Sequence, residues 1–121
     1  MSLYLRAANW LELQQQDSGG WGESLGTDTL SNQESLPLAT VAQTAWAVLS
    51  LMAIFGPHCG CVHRGIEYLM ERQLTNGSWE DSGPVESGLA KGLYFKYNLD
   101  SHCYPMMALA QYRSLVPIVP L

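Results

Sequence analysis

Charged residues are scarce in this sequence, at 14% of its 121 residues, against about 25% in an average soluble domain. Only six residues are lysine or arginine, and the formal net charge is −5. No basic stripe is present to neutralise phosphates, which argues against nucleic acid as a partner. The shortage of charge also indicates that part of the surface faces protein or lipid in place of water.

Cysteines, long apolar runs and leader sequences are also limited. The three cysteines, Cys59, Cys61 and Cys103, are an odd and sparse set that does not suit a disulfide framework. The longest apolar run, residues 45–55, is interrupted by Ser50 and is far shorter than the ~20 residues that span a bilayer. No charged and apolar leader is recognisable. These absences predict a chain that is soluble in isolation and a location on the cytoplasmic side.

What the sequence does contain is an internal repeat. A shift of 58 positions, the distance from Gln15 to Gln73, aligns the chain with itself without a gap. The paired positions are Gln15 and Gln73, Gly19 and Gly77, Trp21 and Trp79, Arg6 and Arg64, Trp10 and Tyr68, and Leu11 and Leu69. One structural unit is therefore expected twice within a single domain, over about residues 4–56 and 61–116.

Each unit is predicted to be an α-hairpin with a long connecting loop. Apolar residues at helical spacing predict helices over about residues 3–15, 41–55, 62–73 and 101–115. No stretch alternates with a period of two, so no strand is predicted. The expected fold class is all-α.

Capping and breaking residues delimit these helices. Thr40 is the predicted N-cap of the second helix, and Gly56 with Pro57 is predicted to end it. Pro105 is expected only in the first turn of the last helix or just beyond it, because a proline deeper in a helix removes a hydrogen bond.

The repeated element is Gln-x-x-x-Gly-x-Trp, at residues 15–21 and 73–79. It resembles the QW motif of squalene–hopene cyclases and oxidosqualene cyclases. Three further segments resemble family patterns: GGWGES at 19–24, QTAWA at 43–47, and HxFPxxALxxY at 102–112, where Tyr104 replaces the phenylalanine. The resemblance runs from about Arg6 to Leu115.

This resemblance implies two hairpins of an α/α toroid, as part of an (α/α)6 barrel. The remainder of the barrel would be the partner, and the full-length protein would cyclise a polyprenoid such as squalene. The resemblance implies no cofactor and a monotopic membrane association of the parent protein. The Asp-x-Asp-Asp acid motif of the family is absent from this chain. We therefore expect no catalytic residue in this chain and no cyclisation by the chain alone.

The motif residues are predicted to be structural. They are Gln15, Gly19, Trp21, Gln73, Gly77 and Trp79. A glutamine amide can satisfy backbone groups at a helix end, and a tryptophan ring offers a large surface for packing. In the family these motifs brace the outer layer of the barrel.

The resemblance places the substrate cavity beside the loop that precedes the last helix. Tyr94 and Tyr97 stand where relatives often have tyrosine, and their rings would stabilise carbocations. Leu89 and Leu93 stand where hopene cyclases typically have phenylalanine. Leucine has no π face, which counts against hopene as the product. Packing of the hairpin by these tyrosines is an equally open interpretation.

A cluster of possible metal ligands, His58-Cys59-Gly60-Cys61-Val62-His63, has poor spacing for a metal site. Four ligands this close in sequence can hardly surround one tetrahedral ion. We therefore predict no metal.

Two alternatives remain open from the sequence. The chain is either one wall of a cyclase cavity or a small α-hairpin module that binds or scaffolds. In either case, two hairpins taken from a ring would expose apolar faces. The isolated chain is therefore expected to self-associate, for example as a symmetric dimer.

Overall fold

The computed structural model describes residues 2–22, 38–80, 86–87, 94–95 and 98–116. Across these residues the helices are α1 (Leu3–Leu13), α2 (Val41–Phe55), α3 (Gly60–Glu71) and α4 (Asn98–Leu115). A short antiparallel pair joins β1 (Glu86–Ser87) to β2 (Tyr94–Phe95). The all-α prediction is confirmed. The two-residue strands were not predicted because they are too short to show the alternation of apolar and polar residues that marks a strand.

Helix α2 is the centre of the packing and contacts α1, α3 and α4. Its apolar residues are buried on several sides, and Ala45, Val48 and Leu51 are each 0% exposed. On the side of α4, Trp46 and Tyr104 meet edge to face with ring centroids 5.3 Å apart. These two aromatic residues occupy equivalent positions under the 58-residue shift. The second helices of the two units therefore pack against each other, and the first helices flank them.

The predicted start and end of α2 are confirmed. The hydroxyl of Thr40 accepts a hydrogen bond from the backbone N–H of Gln43 at 3.1 Å, which satisfies one of the free donors at the helix start. Gly56 ends the helix with a φ of +85°, a conformation that glycine adopts without a steric penalty.

The first helix of each unit ends two residues before the predicted end. The N–H of Gln15 bonds to the carbonyl of Glu12 at 3.2 Å, and the N–H of Gln73 bonds to that of Met70 at 3.3 Å. These bonds span three residues where an α-helix spans four. Both helices therefore close with the same tight turn, so the two glutamines stand just beyond the regular helix.

The prediction for Pro105 is wrong. Helix α4 begins at Asn98, three residues before the predicted start at Ser101, and Pro105 lies in its interior. A proline there forgoes one backbone hydrogen bond. Its side chain is fully buried, so the packing of α4 holds it in place.

No helix in the described parts of the chain combines the length and apolarity needed to cross a bilayer. The limits of the two units, 4–56 and 61–116, stay a prediction.

Candidate functional site

The two motif tryptophans occupy equivalent places. Trp21 and Trp79 are 4% and 3% exposed. The indole Nε1–H of Trp21 donates to the carbonyl of Leu11 at 2.8 Å, and that of Trp79 donates to the carbonyl of Leu69 at 2.8 Å. Each indole N–H therefore adds a hydrogen bond to a carbonyl in the last turn of the preceding helix, where the regular intrahelical bonds end.

The glutamine and glycine of each motif close the same turn. The amide Nε2 of Gln15 donates to the carbonyl of Gly19 at 2.9 Å, and that of Gln73 donates to the carbonyl of Gly77 at 2.9 Å. The two glycines have φ values of +94° and +92°, which disfavour any residue with a Cβ. We call residues 15–21 and 73–79 the first and second Gln–Trp turns.

The first Gln–Trp turn also binds the start of the second unit. The Nε2 of Gln15 donates to the carbonyl of Cys61 at 2.9 Å. Arg64 donates to Gln15 Oε1 at 3.2 Å, and to the carbonyls of Gln16 at 3.1 Å and Asp17 at 3.3 Å. The glutamine side chain therefore joins its own turn to α3, and the bracing of a barrel by this motif stays a prediction.

Two glycines in the first Gln–Trp turn lie close to α3. A Cβ on Gly19 would come within 2.6 Å of the Arg64 carbonyl oxygen, and one on Gly20 within 2.7 Å of Tyr68 Cε2. The guanidinium carbon of Arg72 also lies 3.8 Å from the centre of the Tyr68 ring. The Tyr68 ring therefore lies close to both the turn and a cation.

Thr44 is a site residue that sequence reasoning assigned to a family segment without giving it a role. Its hydroxyl accepts from the backbone N–H of Trp21 at 2.9 Å and lies 3.4 Å from the Trp21 carbonyl, to which it donates. Its side chain is 0% exposed. A lone hydroxyl on an otherwise apolar helix face was the available signal, because buried polar groups need partners.

Replacing Thr44 with valine is expected to lower the free energy of unfolding by about 1–3 kcal/mol, because it leaves the Trp21 backbone N–H without its acceptor. Urea denaturation followed by circular dichroism measures the change. Thr75, which is exposed, provides the matched control, and Thr75→Val is expected to stay within about 0.5 kcal/mol. Equal effects of the two substitutions would contradict the role of Thr44.

The thiols of Cys59 and Cys61 lie 2.8 Å apart. The carboxylate of Glu12 joins them, with one possible ligand atom from each residue within 4.8 Å of the others. Neither His58 nor His63 belongs to this group, so the structure does not bring together the six-residue cluster seen in the sequence. Three ligand atoms are one fewer than a closed structural zinc site uses, and the expectation of no metal stays a prediction.

Burial, with a smaller contribution from the neighbouring Cys59 thiol, raises the pKa of Cys61 to about 12. We therefore expect Cys61 to stay a thiol at pH 8 and to resist iodoacetamide, because the thiolate is the nucleophile. Cys103 is exposed and is expected to be modified first. Peptide mass spectrometry over a time course measures both rates, and modification of Cys61 as fast as Cys103 would contradict the prediction.

The same shift predicts how stability depends on pH. An unfolded cysteine ionises near pH 8.5, whereas the pKa of Cys61 in the folded chain is about 12. The stabilisation from this thiol is therefore complete below about pH 8.5 and is lost as the pH rises towards 12. Cys61→Ala should weaken this alkaline loss.

The predicted cavity residues Leu89, Leu93 and Tyr97 lie outside the described residues. Tyr94 belongs to β2, where its backbone pairs with Ser87. Their role as cavity-lining residues stays a prediction. In the sequence they fall between the buried Trp79 and α4.

Comparison with known proteins gives consistent matches over nearly the whole chain. The family model described as the squalene-hopene cyclase C-terminal domain matches residues 2–114. A squalene–hopene cyclase of Bradyrhizobium diazoefficiens is 38% identical over 112 residues, which cover 91% of this chain and 17% of that protein. A squalene–hopene cyclase of Zymomonas mobilis is 35% identical over 111 residues, covering 91% of this chain and 17% of that protein.

Eukaryotic relatives match as well. The lanosterol synthase of Homo sapiens is 29% identical over 112 residues, covering 93% of this chain and 15% of that protein. The chain thus spans about one sixth of the length of the curated bacterial relatives it matches. Since the matched region contains both Gln–Trp turns and the helices they join, the chain belongs to the squalene–hopene cyclase family and corresponds to part of its C-terminal domain.

Proposed function

We propose that the chain forms one wall of the cavity in which a longer cyclase closes a polyprenoid, such as squalene, through carbocations. The observation that carries the proposal is the family match over residues 2–114, which includes the loop between α3 and α4. This segment resembles the part of the family that borders the cavity. The rest of the barrel would supply the other walls and the acid.

Tyr97 and Tyr94 are the residues proposed to stabilise positive charge. An aromatic face attracts a cation, by about 2 kcal/mol or more when water is excluded. Leu89 and Leu93 would shape the hydrocarbon without a π face, which argues for a product other than hopene. The leucines would thus determine the shape of the cavity, and the tyrosines would stabilise positive charge.

The anchoring of this loop supports the proposal. At its start, the Trp79 ring is 3% exposed and bonded to the Leu69 carbonyl. At its end, α4 packs against α2. A residue that stabilises a short-lived cation must be held in position, and the described elements on both sides of this segment are packed in place.

The isolated chain is expected to form no cyclised product from squalene, because the Asp-x-Asp-Asp motif is absent from its sequence. Incubation followed by gas chromatography with mass spectrometry tests this expectation. Product formation by the chain alone would overturn it.

The cavity role is tested by grafting residues 6–115 into the cyclase of Bradyrhizobium diazoefficiens in place of its matching segment. In an active graft, Tyr97→Leu removes the π face while keeping an apolar side chain, and Tyr97→Phe keeps the face. We expect Tyr97→Leu to lower kcat by about 30-fold, the factor for 2 kcal/mol. The variant should also release products with fewer rings. Tyr97→Phe should retain the activity.

An unchanged product profile and rate for both Tyr97→Leu and Tyr94→Leu would contradict the cavity role. Thermal melting of each graft variant is the control for folding. The alternative role as a binding or scaffolding module predicts that both leucine variants behave as the unmodified graft.

A further inference from the structure

Equivalent positions on α1 and α3 differ sharply in exposure. Cys61 and Tyr68 on α3 are 5% and 2% exposed, whereas their counterparts on α1, Leu3 and Trp10, are 79% and 60% exposed. The first Gln–Trp turn contributes to covering α3, as its contacts with these residues demonstrate. Among the described residues, no second turn covers α1 in this way.

The two Gln–Trp turns differ in how closely they contact a neighbouring helix. A Cβ on Gly19 would meet the Arg64 carbonyl at 2.6 Å, whereas a Cβ on Gly77 would meet none of the described residues within 4 Å. Gln15 bonds across to α3. Gln73 is exposed, and the bond recorded for its amide in the described chain is the one within its own turn. The face of α1 that corresponds to the covered face of α3 is therefore exposed, and so is the second Gln–Trp turn, which corresponds to the turn that covers α3.

We propose that the second Gln–Trp turn of one chain docks on the α1 face of a second copy, the face being formed by Leu3, Arg6 and Trp10. By the 58-residue register, Arg6 would donate to Gln73 Oε1 and to the carbonyls of Leu74 and Thr75. Gln73 Nε2 would donate to the Leu3 carbonyl. This contact between two copies would have the same geometry as the interface that joins the two units within one chain.

Such a contact is heterologous, because it joins two different surfaces. Heterologous contacts produce closed rings when the rotation closes and open chains when it does not. The self-association expected from the sequence is therefore head-to-tail in this proposal. It goes beyond the cavity role and does not depend on it.

One pair of residues limits the fit. Position 78 is serine where the first Gln–Trp turn has Gly20, and a Cβ at Gly20 would lie 2.7 Å from Tyr68 Cε2. The counterpart of Tyr68 is the larger Trp10, so the Ser78 Cβ crowds it in the docked arrangement. The exposed Trp10 ring has room to turn aside, which weakens the contact without preventing it.

The first test is sedimentation velocity of the 121-residue chain over a range of concentrations. Arg6→Ala is expected to raise the dissociation constant by about tenfold or more, because it removes hydrogen bonds from a charged donor. Arg113→Ala, at an exposed arginine in the last turn of α4, is the matched control and should leave association unchanged. Circular dichroism checks that each variant is folded.

A mixing experiment tests the head-to-tail arrangement. Arg6→Ala damages only the α1 face, and Gln73→Ala damages only the second Gln–Trp turn. Each variant alone should be mostly monomeric, whereas an equimolar mixture should form a heterodimer through the one undamaged face and turn. A mixture no more associated than its components would overturn the proposal.

Ser78→Gly provides a gain-of-function test. Removing the Cβ relieves the crowding against Trp10, so the dissociation constant should fall by about tenfold. A chain that stays monomeric at millimolar concentration in both the unmodified and the Ser78→Gly forms would overturn the proposal.

Discussion

Replacing Trp21 with alanine is expected to lower the free energy of unfolding by about 3–5 kcal/mol, the usual effect of truncating a large buried aromatic residue. The ring is 4% exposed and its indole N–H donates to the Leu11 carbonyl. Its backbone N–H bonds to the hydroxyl of Thr44 on α2. Alanine keeps that backbone N–H, so the substitution removes the buried ring and its bond to the end of α1 and leaves the bond to Thr44 in place.

This loss is large relative to the whole, since domains are stable by only about 5–15 kcal/mol. Chemical denaturation at low protein concentration measures it without interference from self-association. Trp79→Ala is expected to have a similar effect, because its geometry is equivalent. Trp10 is 60% exposed, so Trp10→Ala should change stability by no more than about 0.5 kcal/mol. Equal effects of Trp21→Ala and Trp10→Ala would contradict the stabilising role of the buried Trp21 ring.

The second large effect is expected from Gly19→Ala, compared with Gly77→Ala. Both glycines have a positive φ, +94° and +92°, so each alanine carries a backbone strain of about 1–3 kcal/mol. At position 19 the new Cβ would also come within 2.6 Å of the Arg64 carbonyl oxygen. Backbone cannot move aside as a flexible side chain can, and such overpacking adds about 1–3 kcal/mol.

The difference between the two glycine variants isolates the contact between hairpins. Strain is common to both, whereas the collision with α3 exists only at position 19. Thermal and urea denaturation of the pair should therefore rank Gly77→Ala as the more stable by about 1–3 kcal/mol. Equal stabilities of Gly19→Ala and Gly77→Ala would contradict the close contact between the first Gln–Trp turn and α3.

The Gln–Trp turns were predictable from the sequence because their bonds are local. Each tryptophan reaches a carbonyl ten positions earlier, and each glutamine reaches a carbonyl four positions later. Residue spacing fixes such contacts once the helix has formed. The positive φ of the two glycines follows from the same short turn, so the presence of glycine at these positions indicated the conformation of the turn.

Contacts between distant parts of the chain were not predictable in the same way. Arg64 reaches Gln15 across 49 positions, and Thr44 reaches Trp21 across 23. Their partners depend on how the helices pack, which spacing along the chain does not determine. The repeat marked Arg64 as equivalent to Arg6, but only the structure distinguishes the covered member of that pair from the exposed one.

Pro105 and Glu12 illustrate the same limit. A proline favours the first turn of a helix, yet burial of Pro105 by its neighbours outweighs that local preference. Glu12 is an ordinary helix residue in the sequence, and packing alone brings it to the thiols of Cys59 and Cys61. The chain corresponds to about one sixth of the length of its bacterial relatives, so the remaining surroundings of the proposed cavity could not be predicted from its sequence.

The central claim is that each Gln–Trp turn clamps the end of its helix through a buried indole. Hydrogen exchange of the four tryptophan indoles, followed by NMR, tests it most directly. The account predicts that Trp21 and Trp79 exchange at least about 100-fold more slowly than the exposed Trp10, because opening the clamp requires local unfolding. Exchange of Trp21 and Trp79 at the rate of Trp10 would contradict it.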